Sequence, residues 1–454
     1  MATPIDAHVD QDTTALSTFL SKNVDVRFIR LQWLDYTNMI RCRVVVRAGT
    51  VHQLAQVCRM VDAEHLALIE DEAGHLEYNP AEALCQSVLI PDWYSLHLCP
   101  WAPGHASVQC NLGKYESALE LRDEALIFRI DELCPRFALR KAVLQAEKLG
   151  VVGIYVGFEI NFCVENIDST LDLPPYLHSA YSMNTLENFM LPVMDEIVMC
   201  LQRAGVPVLV YHAGSHEGRY KITIKHVTAL KAADMLVFTR QVIRNVCKKH
   251  SLVPAFHRWW PGCNVVHTNI SLIGPGYEDS FLAGILEHLG AIFAFALPLP
   301  ISYQRVVAGQ RQFGRFEAWG YHNREVPIRR RAKNDWQLRC VDATANIYLV
   351  LAAVIISGTV GMKQKSKLTV KNCQVDPETL SPVNRRHLGI TRELPSKLED
   401  AHSSLEKDRV LNEALGGVLV EKFLHEMTNF ADILGDAGST VSDERLNLFS
   451  TNSL

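Results

Sequence analysis

Alternating apolar and polar residues predict a β-hairpin near the start of the chain, in the segment VDVRFIRLQWLDYTNMIRCRVVV at residues 24–46. The polar residues at its centre, from Asp35 to Asn38, are typical of a tight turn. Asn38 lies where the turn can require a positive φ, which asparagine tolerates. Residues 1–20 are polar, and we expect them to form a flexible tail.

Further along the chain, the hydrophobic period changes between helix and strand. A helix is predicted from Pro135 to Gly150 because leucine, valine and alanine recur on one face. The strand IYVGFEINFCV follows, with apolar residues on one side and Glu159 and Asn161 on the other. We then expect a helix ending near Gly205, a strand pair at 206–225 and a helix over residues 226–250.

One long apolar run, Ile347 to Val360, is shorter than the roughly 20 residues that span a bilayer, so it predicts a buried helix. The net charge of −5 gives no bulk attraction to nucleic acid or acidic membranes, and we expect neither as a partner. The twelve cysteines have no metal-binding spacing and indicate reduced thiols. Since the N-terminus has no secretory pattern, we expect a cytoplasmic protein.

Arginines recur among turn-forming residues in the segment 297–331. Arg305, Arg324 and Arg329 are separated by glycines and a proline, and guanidinium groups on such a loop suit bidentate recognition of phosphate or carboxylate. Taken alone, the segment is equally compatible with a solvated basic loop or an RNA-contacting patch.

The order of the residues in this segment resembles that of the glutamine synthetase family. The matching residues are Ile301, Ser302, Tyr303, Arg305, Trp319, Asn323, Arg324, Ile328 and Arg329. A second match is the segment PWAPGHA at residues 100–106, and four others follow in the family's order. The resemblance therefore covers nearly the whole chain.

This resemblance implies an α+β fold with two domains. A small β-grasp-like domain is expected at residues 21–112, and a catalytic domain, with a curved antiparallel sheet flanked by helices, at 113–454. The implied reaction is ATP-dependent amide formation, in which a carboxylate is activated as an acyl-phosphate and then attacked by an amine. The alternative is a catalytically silent relative with an assembly, sensing or structural role.

The resemblance also implies roles for single residues. The expected catalytic residues are Asp35, Arg324 and Lys221; the substrate-binding residues are Arg305, Arg339 and Asn264; and the ATP-binding residues are Arg324 and Arg329. Asp35 is expected to come from a neighbouring subunit, which implies a ring-like homo-oligomer with active sites between subunits. The resemblance also implies a glutamate on a flap that closes over the ammonium site. Arg311 occupies the best-matching position, so this flap acid is either Glu317 or absent.

Metal binding is where this chain departs from the family pattern. Of the metal ligands that the resemblance implies, this chain keeps Glu159 and His267, and Gln337 offers a neutral oxygen. We therefore expect at most one Mg²⁺ or Mn²⁺ per site. At three other ligand positions, carboxylates are replaced by Asn161, Ala213 and Lys221. The ammonium of Lys221 is a physical substitute for a cation, although loss of the carboxylates through drift is an equal alternative. These departures predict that the protein does not make glutamine from free ammonium.

Overall fold

Two β-sheets organise the chain in a computed structural model, which describes residues 13–59, 62–63, 87–115, 128–165, 180–186, 190–214, 218–256, 265–274, 276, 278–307 and 313–434. The first sheet comprises β1 (Phe28–Leu34), β2 (Ile40–Val46), β3 (Asp62–Ala63), β4 (Ser87–Pro91), β5 (His97–Leu98), β6 (His105–Tyr115) and β7 (Phe128–Ile130). The path through it runs β2-β1-β6-β4-β3, and β5 and β7 also pair with β6.

The hairpin predicted at residues 24–46 is confirmed as β1 and β2, which pair in an antiparallel register. Its turn has the expected geometry, since Asn38 has a φ of 68°. The Asn38 side chain donates a hydrogen bond to the carbonyl of Ala343, and Asn346 donates one to the carbonyl of Asp35. The turn is therefore attached to a segment more than 300 residues later in the same chain.

The second sheet carries most of the expected site residues. Its strands are β8 (Gly153–Glu165), β9 (Val208–Ala213), β10 (Arg219–Thr228), β11 (Val253–Ala255), β12 (Val266–Ile273), β13 (Trp319–Tyr321), β14 (Ile328–Ala332) and β15 (Asp335–Leu338). They lie in the order β13-β14-β15-β12-β8-β10-β9, and β11 also pairs with β8. Every pair in this sheet is antiparallel except β13 with β14.

Helices cover one face of the second sheet and account for much of the remaining described chain. They are α1 (Thr14–Lys22), α2 (Val51–Arg59), α3 (Pro135–Lys148), α4 (Met183–Leu186), α5 (Met190–Arg203), α6 (Ala229–Lys249), α7 (Glu278–Glu287), α8 (Leu289–Ala296), α9 (Gln304–Val307), α10 (Ile347–Gln364), α11 (Pro382–His387), α12 (Leu398–Lys407), α13 (Arg409–Leu415) and α14 (Gly417–Leu434). The sequence-predicted helices correspond to α3, α5, α6 and α10.

The longest apolar run forms α10, which packs against α3 and α7. Asn346 begins this helix, because its side chain accepts hydrogen bonds from the backbone N–H groups of Tyr348 and Leu349. By length and composition α10 resembles a membrane span, but 83% of it is buried inside the protein. The prediction of a buried core helix is confirmed.

Arg136 on α3 joins the first sheet to α6 through buried polar contacts. Its guanidinium donates to both carboxylate oxygens of Asp234 on α6, at 2.9 and 2.8 Å, and to Asp92, at 2.6 Å. Asn111 on β6 accepts a further bond at 3.2 Å, and the hydroxyl of Tyr348 donates to Asp234 at 2.6 Å. This network fixes the first sheet against the helices that cover the second.

The mixture of helices and open sheets confirms the α+β class, while the expected boundary near residue 112 stays a prediction. The cysteines differ from expectation at one position. Cys163 on β8 is disulfide-bonded. The other cysteines of the described part form no disulfide bond.

Candidate active site

Strand register places four of the expected residues on the same face of the second sheet. Phe158, Ile160 and Phe162 of β8 point to the core and are completely buried, so Glu159 points to the opposite face. His267 on β12 lies directly opposite Glu159, and on the other side of β8, Lys221 lies opposite Asn161.

Glu159 is the centre of this face, and both of its carboxylate oxygens are hydrogen-bonded. Oε2 accepts from the ammonium of Lys221 at 3.1 Å and lies 3.3 Å from Nδ1 of His267. Oε1 accepts from the side-chain amide of Gln337 at 2.8 Å. Since a carboxylate only accepts, His267 carries its proton on Nδ1.

Gln337 connects this carboxylate to the arginines. Its amide nitrogen donates to Glu159 and also to Asn269 on β12, at 3.0 Å, while its oxygen accepts from Arg339 at 3.2 Å. Arg339 in turn donates through Nε to the backbone carbonyl of Arg324, at 3.0 Å. A continuous chain of hydrogen bonds therefore runs from Lys221 to the arginine segment.

Glu159, Lys221, His267 and Gln337 form what we call the Glu159 cluster. The protonation states within it follow from burial and from the surrounding positive charge. Burial acts to raise the pKa of Glu159, but the hydrogen bond from His267 and the charge of Lys221 hold that pKa well below its usual range. Burial lowers the pKa of His267 to about 4, with the charges of Arg339 and Lys221 acting in the same direction. At neutral pH, Glu159 is charged and His267 is neutral.

Three arginines lie close enough to act on one another. Burial, followed by the charges of Arg329 and Arg324, lowers the pKa of Arg339 to about 10. Arg329 is half-buried on β14 and lies opposite Gln337, so it shares the face of the cluster. Its Nε is buried without a hydrogen-bond partner in the described part of the chain. Positive charge is concentrated here, as an anion-binding site requires.

The expected metal ligands are adjacent, but their donor chemistry does not fit a divalent cation. Gln337 directs its N–H group at Glu159 and gives its oxygen to Arg339, so it does not present the expected oxygen ligand. The ammonium of Lys221 already lies against the single carboxylate. Among the described residues, no group of three or more His, Cys, Asp or Glu side chains is placed to hold a metal ion.

Asn161 and Ala213, which stand at two of the positions where the family has carboxylates, lie on different faces of the sheet. Asn161 donates to the backbone carbonyl of Val265 at 2.7 Å, which ties β8 to the start of β12. Ala213 pairs with Tyr220, and both side chains are buried in the core. A carboxylate at position 213 would therefore point away from the cluster.

Asp35 is buried in the turn of the hairpin, where its carboxylate is fully hydrogen-bonded within the chain. Its carboxylate has 0% exposure and accepts from Thr37, from the backbone N–H of Met39 and from Arg41, which lies at 2.8 Å. Burial raises the pKa of Asp35, although the charge of Arg41 opposes this effect. The side chain stabilises the hairpin turn within this chain, and the expected role across a subunit boundary stays a prediction.

Glu317 is likewise engaged elsewhere. It is buried, and Oε2 lies 2.6 Å from Nε of Arg392, whose other nitrogens donate to the last carbonyls of α7. This contact ties the segment before β13 to Arg392, and the assignment of the flap acid stays a prediction. Arg311 and Asn264 lie outside the described residues, as does the side chain of Arg305.

Sequence reasoning missed the cations that pair with these acids. Arg41 follows Asp35 by six residues on the facing strand of the hairpin, so the hairpin pattern itself could have indicated the contact. Arg392 lies 75 residues after Glu317, and no local pattern connects them. The sequence pattern assigns no role to Asn269, whose side-chain oxygen accepts a hydrogen bond from Gln337 and orients it.

Comparisons with known proteins show which proteins this chain resembles. Protein fluG of Emericella nidulans is 30% identical over 427 residues, which are 91% of this chain and 47% of fluG, so the chain spans about half the length of that relative. Glutamate--isopropylamine ligase of a Pseudomonas species is 30% identical over 334 residues, 65% of this chain and 69% of the ligase.

Solved structures support the fold. The structure of a GmaS/ADP complex has a TM-score of 0.74 and covers 93% of this chain and 97% of its own, at 21% identity. The family model described as glutamine synthetase, catalytic domain, matches residues 132–431. The chain belongs to the glutamine synthetase family.

Proposed function

We propose that this protein is an ATP-dependent ligase that joins a carboxylate to an amine other than free ammonium, by way of an acyl-phosphate. One observation carries the proposal: the arginines that recognise anions remain, while every candidate acid is paired with a cation. Asp35 pairs with Arg41, Glu159 with Lys221 and Glu317 with Arg392.

The pairing of the acids argues against free ammonium as the substrate. A small cation needs unneutralised negative charge, and the described site offers none. Because Lys221 is already paired with Glu159, Arg329 and Arg339 leave net positive charge at the site. An ammonium ion a few ångströms from one of these arginines would be repelled by about 1 to 4 kcal/mol at effective dielectrics between those of water and a protein surface. This repulsion corresponds to about one to three decades of affinity. A neutral or larger amine, held by other contacts, avoids this repulsion.

The remaining positive charge suits the anionic reactants. We assign Arg324 and Arg329 to the phosphates of ATP, and Arg339 to the substrate carboxylate, because a guanidinium group binds such oxygens with two donors. Lys221 neutralises charge on the activated carboxylate as a point charge. A protein of related fold has been solved with ADP, and a relative is named as a ligase for isopropylamine; both support a nucleotide-dependent amine ligase, while the roles of the single residues are our proposal.

A second candidate function is a catalytically silent family member with an assembly, sensing or structural role. The observation that favours it is the lack, among the described residues, of an acidic cluster that could hold a divalent cation. Phosphoryl transfer usually employs metal ions to neutralise the charge that develops. In either case, we propose that the chain forms a homo-oligomer, as the family arrangement implies.

An assay of nucleotide consumption tests the proposal. The purified protein is incubated with ATP, glutamate or another carboxylic acid, and a panel of ammonium, primary amines and polyamines. We expect phosphate release and an amide product, found by mass spectrometry, only when acid and amine are both present. Ammonium should give no product. Glutamine formation from ammonium at a rate equal to that of the best amine would overturn the proposed specificity.

A substitution in the site and a matched control test whether the activity depends on Arg339. Arg339→Lys removes the guanidinium group that reaches Gln337 and Arg324, and we expect kcat/KM to fall by about a hundredfold. Arg315→Lys alters an arginine in an exposed ion pair with Glu393 and should leave kcat/KM unchanged. If no acid and amine pair causes ATP consumption, and calorimetry detects no nucleotide binding, the silent candidate is favoured instead.

A further inference from the structure

We propose that the ammonium of Lys221 is the resident cation of this site, so that the Glu159 cluster does not take up Mg²⁺ or Mn²⁺. The inference deepens the proposed function and rests on it only for the identity of the site. It concerns how the protein neutralises the charge of anionic groups at the site: the ammonium of Lys221 on β10 takes the place of a metal ion bound from solution.

The contacts of Glu159 carry the inference. A metal ion needs lone pairs directed at a common point, but Oε2 is engaged by Lys221 at 3.1 Å and Oε1 by Gln337 at 2.8 Å. Lys221 and Glu159 are each 21% exposed, so the pair lies at the edge of the site, where a ligand can reach it. The ammonium thus faces the position where a hard cation would bind the carboxylate.

The neighbours do not supply substitute ligands. Hard divalent cations prefer several oxygen ligands, mainly carboxylates. Gln337 presents an N–H group, and its oxygen is bonded to Arg339. The oxygen of Asn269 is bonded to that same N–H group. His267 keeps one unprotonated nitrogen, which is a poor ligand for Mg²⁺ by itself.

The net positive charge around Glu159 also disfavours the binding of a divalent cation. Arg329 and Arg339 lie close enough to Glu159 for their charges and that of the carboxylate to interact. With Lys221 already paired to this single acid, a divalent cation would enter a region of net positive charge. Anions such as phosphate or carboxylate are favoured there.

Binding of Mn²⁺ alone, measured by electron paramagnetic resonance and calorimetry without nucleotide, tests the inference. The wild-type protein should show no saturable binding up to about 1 mM, the weak end of protein sites for divalent cations. Lys221→Glu should create a site, because it adds a carboxylate beside Glu159 and His267 and removes the ammonium. We expect affinity at least about tenfold tighter than wild type.

Lys225→Glu is the matched control, since it makes the same charge change at an exposed position of the same strand. It should behave like the wild type. If Lys221→Glu does not fold by circular dichroism, Lys221→Met removes the ammonium without adding a second carboxylate. It should strengthen Mn²⁺ binding by a smaller factor, and no change in this variant would overturn the inference.

Two further results would contradict it. One is saturable, submillimolar Mn²⁺ binding by the wild type that Glu159→Gln abolishes. The other is a folded Lys221→Glu variant with no gain in affinity. Because no turnover is measured, failure of the ligase assay leaves these results interpretable, and Mn²⁺ binding by the wild type leaves the ligase proposal standing.

Discussion

The ion pair between Lys221 and Glu159 should be energetically coupled in the folded protein. The perturbation is a double-mutant cycle with Lys221→Met and Glu159→Gln, alone and together. Lys221→Met removes the ammonium and keeps an apolar stem of similar length. Glu159→Gln keeps the shape of the carboxylate and removes its charge. The double variant removes both charges.

The size of the coupling follows from the geometry. At 3.1 Å and an effective dielectric constant of 20, the attraction between the two charges is about 5 kcal/mol before desolvation. His267 and Gln337 still contact Glu159 after Lys221 is removed, so part of this energy is retained. Hydrogen bonds to charged groups contribute about 1.5 to 3 kcal/mol. We therefore expect a coupling energy of about 1 to 3 kcal/mol.

Urea unfolding followed by fluorescence measures the free energy of unfolding of all four proteins. The pair formed by Arg315 and Glu393 is the control, because it has a similar distance, 2.7 Å, but its side chains are 55% and 52% exposed. Its coupling should lie between about 0 and 1 kcal/mol. A coupling for Lys221 and Glu159 no larger than that of the control would refute the assignment of a specific ion pair in the site.

Further predictions concern the core, the pH dependence of stability and assembly. Asp234→Asn leaves the buried guanidinium of Arg136 without its full partner, so urea unfolding should show a loss of about 3 to 5 kcal/mol, and a loss below about 1 kcal/mol would contradict the network. His267 has a pKa of about 4 when folded, below its ordinary 6.5, so the unfolded chain binds more protons between these values. Stability should therefore fall as the pH drops through that range, by up to about 1.4 kcal/mol per pH unit from this residue. His267→Gln should make the dependence shallower, and an unchanged slope would count against the assignment. Light scattering of the purified protein should give a mass well above the 51.0 kDa of one chain, whereas a monomer at micromolar concentration would remove the ring from the proposal.

The elements that sequence predicted well are those with a strong local pattern. The hairpin at residues 24–46 has clear alternation, and its turn contains an asparagine that suits positive φ. The strand with Glu159 and Asn161 alternates so regularly that its polar face could be assigned before any contact was known. His267 could be placed beside Glu159 once both strands were assumed to belong to the same sheet.

The features that sequence could not predict depend on strand register and on distant contacts. Ala213 was expected near the metal position, but the pairing of β9 with β10 places it in the core. A shift of one residue in a strand exchanges its two faces, and the sequence alone does not fix which residue of β9 pairs with Tyr220. Asp35 is buried because its turn meets Asn346, and Glu317 because it meets Arg392. Neither contact is encoded by a local pattern.

The central claim is that the protein activates a carboxylate as an acyl-phosphate before an amine attacks it. A carboxylic acid labelled with ¹⁸O in both oxygens tests this claim directly, with ATP and the best amine from the panel. In the proposed reaction, one carboxylate oxygen attacks the γ-phosphorus of ATP, and that oxygen leaves with phosphate when the amine nitrogen forms the amide bond. Mass spectrometry should therefore find one ¹⁸O atom in each phosphate released and one in the amide. Amide formation with unlabelled phosphate would contradict the account.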